Sequence, residues 1–314
     1  MTVRGELRRW RPGGAVGQGG RHRETPEDGG PMKAEQLTAD VCEHGEGPVH
    51  SPRWVGPRWV DMLAGEVLEL SPSGEVARRD VGSKVAAVVR PRRGAGWLVA
   101  TERAVALADG DDLDAALTNG PELWTDTGIR SNEGGCAPDG AFYLGTMAYD
   151  ETPGAGTVHR IDPSGAVTTA FGNVTVSNGL GWSPDGTRAY YVDTDTGRID
   201  VFDWTADNGL TGRRAWADVP GGPDGLTVDA EGGVWVATYW TGEVRRYDAD
   251  GRLDAVVDLP VRRATAVAFT GAGLDQLIVT TSRLDQDTPG PGDGALFGIV
   301  EPGVRGLPVL EFGG

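Results

Sequence analysis

Asn132, Asn178 and Asp224 stand 46 residues apart, and each begins a similar short phrase in which a glycine leads into apolar residues and then a Pro-Asp-Gly-like turn. The three phrases read NEGGCAPDG from 132, NGLGWSPDG from 178 and DGLTVDAEG from 224. A fourth copy, EGPVHSPRW from Glu46, lies 86 residues before the first, close to two further repeats. Oxygen-bearing side chains thus recur at one position of a repeating unit, and a ring-shaped fold would carry them to a common centre. Glu46, Asn178 and Asp224 would then offer two carboxylates and an amide oxygen. Such hard donors suit Ca²⁺, Mg²⁺ or Mn²⁺ better than Zn²⁺, and three protein ligands leave positions open for water and substrate. The same residue types also satisfy backbone groups in ordinary turns, so spacing alone leaves both readings open.

A ring needs repeating elements, and six appear. The apolar segments RWVDML (58–63), GWLVATE (96–102), FYLGTM (142–147), AYYVDT (189–194), VWVATY (234–239) and QLIVTT (276–281) read as equivalent strands. Five are followed by a strand opening on glycine, such as GEVLEL (65–70) and GRIDVFD (197–203); AVALAD (104–109) takes that place in the second unit. Six units of 40 to 50 residues with turns between strands predict an all-β, six-bladed β-propeller over residues 35–314, whose central channel is where such a metal site would lie. Each Asn or Asp phrase precedes a middle strand and so forms the innermost strand of its blade. Its first residue falls at one channel mouth. The same register puts a residue near Lys84 or Val85, and Thr265, at the two remaining positions.

Composition agrees with many short strands joined by tight turns: 50 Gly and 20 Pro, and no long stretch of helical periodicity. The formal net charge of −17 argues against nucleic acid or an anionic membrane as partner, since both need a basic face. Residues 1–34 are Gly-, Arg- and Pro-rich with few aliphatic side chains and are expected to be a disordered extension; a basic interaction arm is the alternative, and Met32 is an alternative start. Cys42 and Cys136 form no paired-cysteine motif, and no signal or membrane-spanning segment is visible, which predicts a cytoplasmic protein.

Competing sites are weaker. Asp193-Thr-Asp195 and Asp248-Ala-Asp250 echo a calcium loop, but position 12 would be Trp204 or Leu259, so they read as hairpin turns. His44, His50 and His159 lack zinc-protease spacing, and no nucleophile elbow or nucleotide-binding loop is present. Most tryptophans fall in strands as blade packing. Trp240, in a loop, is the one placed to touch a substrate.

From about Cys42 to the end, the ordered phrases EGPVHSPRWVGPRWVDMLAGEV, SNEGGCAPDGAFYLGTM, VSNGLGWSPDGTRAYYVDTDTGRIDVFD and PDGLTVDAEGGVWVATYWTGEVRRYDADGRL resemble the gluconolactonase and regucalcin (senescence marker protein) family. The resemblance implies a six-bladed propeller that binds one divalent metal in its channel and hydrolyses a sugar lactone. It assigns the metal to Glu46, Asn178 and Asp224, with Ca²⁺ foremost and Zn²⁺, Mn²⁺ or Mg²⁺ as alternatives. It assigns substrate contacts to Arg130 and Asn132. Glu133 stands where the family usually has Asp, and Asp150 where a carboxylate, often Glu, follows the Gly-Thr-Met phrase. Both departures fall on the substrate side and bear on which lactone is preferred. Asp224 is the candidate to orient or deprotonate the attacking water. Phosphotriester hydrolysis and a non-catalytic calcium-binding regulatory role are the rival readings.

Overall fold

The computed structural model describes residues 32–314. The six middle segments are strands, at Arg58–Asp61, Trp97–Thr101, Phe142–Ala148, Arg188–Asp193, Val234–Thr238 and Gln276–Thr281. Each lies second in a four-stranded antiparallel sheet, and the sheets are the blades of a propeller, numbered 1 to 6 from the first of these strands. The first strand of each blade is Gly45–Val49, Ala86–Pro91, Ile129–Cys136, Ser177–Trp182, Pro223–Val228 or Ala264–Thr270. Each of these packs against the first strands on either side of it, and blade 6 packs against blade 1, so they form a closed inner ring.

The ring closes by mixing the two ends of the described chain. Ala34–Gln36 is the outermost strand of blade 6, antiparallel to Phe297–Val300. Met32 and Ala34 pack against the buried cluster that holds Trp235 and Phe297. The propeller thus includes the last residues of the stretch expected to lack order, while residues 1–31 lie outside the described residues. Trp59, Trp97 and Trp235 are fully buried, as blade packing requires, whereas Trp240 is exposed. Among the described residues the helices are two 3-10 turns, Met62–Ala64 and Thr194–Thr196, and no helix is long and apolar enough to cross a membrane.

Every inner strand is irregular at one level. In blades 1, 3, 4 and 5 two inner residues face a single middle-strand residue: Gly47 and Pro48, Asn132 and Glu133, Asn178 and Gly179, Asp224 and Gly225. A bulge of this kind re-aims side chains that a regular ladder would send up or down the sheet. Glycine after the polar residue lets the next blade come close. A Cβ on Gly179 would lie 2.6 Å from the Leu226 nitrogen, and one on Gly225 would lie 2.3 Å from the Ala266 Cβ.

The pairs Gly45↔Asp61, Ala86↔Thr101, Ser131↔Thr146, Ser177↔Asp193, Pro223↔Thr238 and Ala264↔Thr281 are equivalent round the ring. The residue after each inner member is Glu46, Ala87, Asn132, Asn178, Asp224 or Thr265. The second position is therefore Ala87, not a residue near Lys84 or Val85. The run VAAVV (85–89) is apolar throughout, so nothing in it marks which residue takes the ring position.

Candidate functional site

The polar residues of this ring level meet at one mouth of the channel, where local structure fixes the backbone before each of them. Asp61, at the end of its strand, accepts hydrogen bonds from the backbone N–H groups of Glu43 and His44, both at 3.0 Å. Asp193 does the same for Thr175 at 3.1 Å and Val176 at 3.0 Å. These two carboxylates hold the chain two residues ahead of Glu46 and Asn178. The Asp193 segment is thus the turn that its sequence suggested. Asp248 likewise accepts from the backbone N–H groups of Asp250 and Arg252.

Glu46, Asn132, Glu133, Asn178 and Asp224 are all buried. Asn132 donates through Nδ2 to the Ser177 carbonyl at 2.8 Å and to Asn178 Oδ1 at 3.1 Å, and its Oδ1 accepts from Arg130 Nη1 at 2.6 Å. Asn178 donates to Thr194 Oγ1 at 2.7 Å, and that hydroxyl donates to the Pro223 carbonyl at 2.8 Å. This relay ties blades 3, 4 and 5 together and turns the Asn178 amide oxygen towards Asn132. Glu46 accepts a 3.1 Å bond from the Gly47 N–H, and Asp224 Oδ1 has no hydrogen-bond partner.

Three carboxylates are therefore buried at one site. Burial, then Asp224 and then Glu133, push Glu46 well above the usual carboxylate range. Burial, then Glu133, do the same for Asp224. Glu133 is also raised by burial, but Arg90 opposes it with a 2.9 Å ion pair. Arg90 also donates to the Gly47 carbonyl at 3.1 Å, so blade 2, whose ring residue is Ala87, reaches the site from three residues further on. Among the described residues no three His, Cys, Asp or Glu side chains form a metal cluster; the oxygen set here is two carboxylates and an amide.

Arg130 is buried against Met62 Sδ, with the Tyr149 ring centroid 5.8 Å from its guanidinium. Asp150 stands apart from this group. It is exposed, and its Oδ1 accepts from the Thr152 N–H and hydroxyl. Glu151 is the loop carboxylate whose field reaches Arg130. Its φ of +54° places it in a left-handed turn that pattern reading does not detect.

Residues that sequence reasoning passed over also line the mouth. His44 Nδ1 pairs with Ser282 Oγ at 2.8 Å and its Nε2 lies 3.7 Å from Glu46 Oε1. Burial, aided by Arg130 and Arg263, pushes its pKa down to about 3, so the imidazole is neutral. The Asp or Thr that recurs at the equivalent position of every middle strand was the available signal for the anchors Asp61 and Asp193. A cavity of about 510 Å³, lined by Val49, Arg90, Trp182, Phe269 and Leu310 among others, lies at the far ends of the inner strands, away from the carboxylates.

Comparison with known proteins agrees with this fold. The SMP-30/gluconolactonase/LRE-like region model matches residues 44–283. A pentonolactonase of Haloferax volcanii is 34% identical over 85% of this chain and 94% of its own. A regucalcin of Bos taurus is 30% identical over 90% of this chain and 99% of its own. The crystal structure of a calcium-binding protein, regucalcin, from Agrobacterium tumefaciens superposes with a TM-score of 0.82 at 32% identity, covering 90% of this chain and 98% of that one. The chain belongs to the SMP-30/gluconolactonase/LRE-like family.

Proposed function

We propose that the protein hydrolyses a sugar lactone at the carboxylate-lined channel mouth, with one divalent cation held by Glu46, Asn178 and Asp224. The observation that carries this reading is Asp224 Oδ1, buried without a partner beside a second buried acid. An unpaired buried carboxylate oxygen is costly, and a hard cation is the partner that would relieve it. Ca²⁺ is the first candidate, with Mg²⁺, Mn²⁺ and Zn²⁺ as alternatives. A bound cation would polarise the lactone carbonyl and stabilise the charge that develops on its oxygen.

The chain's own groups account for the remaining work. Asn132, whose two amide hydrogens go to Ser177 and Asn178, holds Arg130 through their 2.6 Å bond, and Arg130 presents its other N–H groups to the ring hydroxyls of the substrate. Glu133, fixed by Arg90, lines the same wall and bears on which sugar fits. Asp224 orients a water molecule and accepts its proton as the water oxygen attacks the carbonyl carbon. The ring C–O bond then breaks, and its oxygen takes that proton back from Asp224 to leave as the hydroxyl of the open-chain acid. Burial of these groups keeps bulk water from competing with the bound substrate.

Two relatives support the assignment from different directions. The pentonolactonase match favours lactone hydrolysis. The calcium-binding regucalcin match favours Ca²⁺ and keeps a purely calcium-binding role as the second reading. Lactone turnover by the native protein separates the two, and Glu46→Ala and Asp224→Ala test the site. Each is expected to lower metal-dependent lactone turnover by at least about a hundredfold while leaving the circular dichroism of the propeller intact. Wild-type turnover in either variant would overturn the metal and water roles of these two carboxylates, and absence of lactone turnover in the native protein with every ion would leave the calcium-binding reading.

A further inference from the structure

The ring register identifies what stands two residues before each site position: His44, Val85, Arg130, Val176, Gly222 and Arg263. Two of the six are arginines, and they belong to blades 3 and 6. Three steps round a ring of six is a half turn, so Arg130 and Arg263 stand on opposite sides of the channel mouth.

Each guanidinium is backed by a tyrosine. Arg263 donates through Nη1 to Tyr239 Oη at 2.6 Å, lies 4.7 Å from that ring's centroid, and donates through Nη2 to the Asp285 carbonyl at 3.2 Å. Its nearest carboxylate oxygen, Asp285 Oδ2, is 3.9 Å away on an exposed side chain. The Tyr239 ring packs edge-on to His44 at 6.4 Å, and His44 leads to Glu46. A continuous wall thus runs from Arg263 down to the carboxylates. On the facing side, Tyr149 lies 5.8 Å from the Arg130 guanidinium and 5.2 Å from Lys84 Nζ, while its Oη donates to Glu102 at 2.7 Å. Lys84 and Glu102 neutralise one another at 2.8 Å, and neither Arg130 nor Arg263 is hydrogen-bonded to a carboxylate among the described residues.

We propose that Arg263, braced by Tyr239, is a second substrate-binding residue opposite Arg130, and that the pair selects lactones with hydrogen-bond acceptors at both ends of the ring. A polyhydroxylated aldonolactone satisfies both guanidinia. An alkyl lactone leaves desolvated donors unpaired and is rejected for that reason. The proposal rests on the lactone-hydrolase reading above.

The test uses the full chain loaded with metal. Wild type, Arg263→Met and Arg263→Lys are compared on an aldono-1,5-lactone and on δ-valerolactone, the same ring without hydroxyls. Arg263→Met is expected to raise KM for the aldonolactone by about tenfold or more, with kcat within about threefold of wild type. KM for δ-valerolactone should fall, because the variant deletes a donor that this lactone leaves unpaired, and Arg263→Lys should recover part of the loss on the aldonolactone. Calorimetric binding of the open-chain acid should weaken in parallel. Tyr239→Phe keeps the ring but removes the brace on Nη1, and should raise KM for the aldonolactone by a smaller factor. An equal change on both lactones, a fall in kcat alone, or no change overturns the proposal. If the wild type opens neither lactone, the lactonase reading fails with it; if it opens the aldonolactone and the Arg263 variants behave like wild type, only this proposal fails.

Discussion

Asp224 and Glu46 are two acids in a site whose arginines, Arg90 and Arg130, are directed to Glu133 and Asn132. Burial is the largest cause of their raised pKa values, with neighbouring carboxylates next. A group whose pKa is higher in the folded state than in the unfolded state contributes stability that is fully present below the unfolded value and is lost as pH rises through the folded one. Metal-free protein should therefore lose stability from these two residues as pH climbs out of the ordinary carboxylate range. A bound cation favours the ionised pair and reverses that loss. The rise in Tm on adding Ca²⁺ should accordingly grow with pH, and scanning calorimetry across a pH series checks it. A Tm increment that is flat or shrinks with rising pH would show that these carboxylates do not hold the ion.

At the scale of the strand, the bulge and its glycine place the polar residues. Gly225→Ala would force its Cβ to within 2.3 Å of Ala266 and 3.1 Å of the Thr265 carbonyl, wedging blade 5 from blade 6 beside Asp224. A stability loss of about 1–3 kcal/mol is expected from such overpacking, with weaker metal binding, measured by urea unfolding and calorimetric titration. Unchanged values in both would mean that the inner strands do not set the site. The bulge also explains what the sequence disclosed. Asn132, Asn178 and Asp224 were legible because each opens a phrase with its own glycine and turn, and Thr265 followed from the same register. Ala87 was not, since its blade has neither a polar residue nor a glycine at that level. Asp61 and Asp193 act on backbone N–H groups 17 and 18 residues away, a pairing that apolar periodicity does not reveal. Asp150 lies exposed and bonded to Thr152 in a loop whose left-handed Glu151 no periodicity reveals, and Arg263 became comparable with Arg130 only once the blades were in register.

At the scale of the whole molecule, six blades hold their shape because the ring is closed. Ala34–Gln36 supplies the last strand of blade 6, and residues near the C-terminus reach across the opposite mouth to blades 2 and 3. There Phe312 donates to the Pro91 carbonyl and accepts from the Arg93 N–H, and Gly313 donates to the Gly140 carbonyl. Removing residues 1–36 would bare the edge of Phe297–Val300 and the apolar surface that Met32 and Ala34 cover. Such a truncation should lower Tm, by roughly 2–4 °C for each kcal/mol lost, and should promote association at the open edge. Thermal unfolding and light scattering would reveal both effects. A truncated chain as stable and as monodisperse as the parent would contradict this closure.

The central claim, that a cation held by Glu46, Asn178 and Asp224 makes this channel mouth a lactone-opening site, is tested most directly by metal-stripped protein in a pH-indicator assay on an aldonolactone. Ca²⁺, Mg²⁺, Mn²⁺ and Zn²⁺ would be restored one at a time. The structure predicts negligible hydrolysis by the stripped protein and recovery with at least one ion. Undiminished hydrolysis after stripping, or none with any ion, would contradict it.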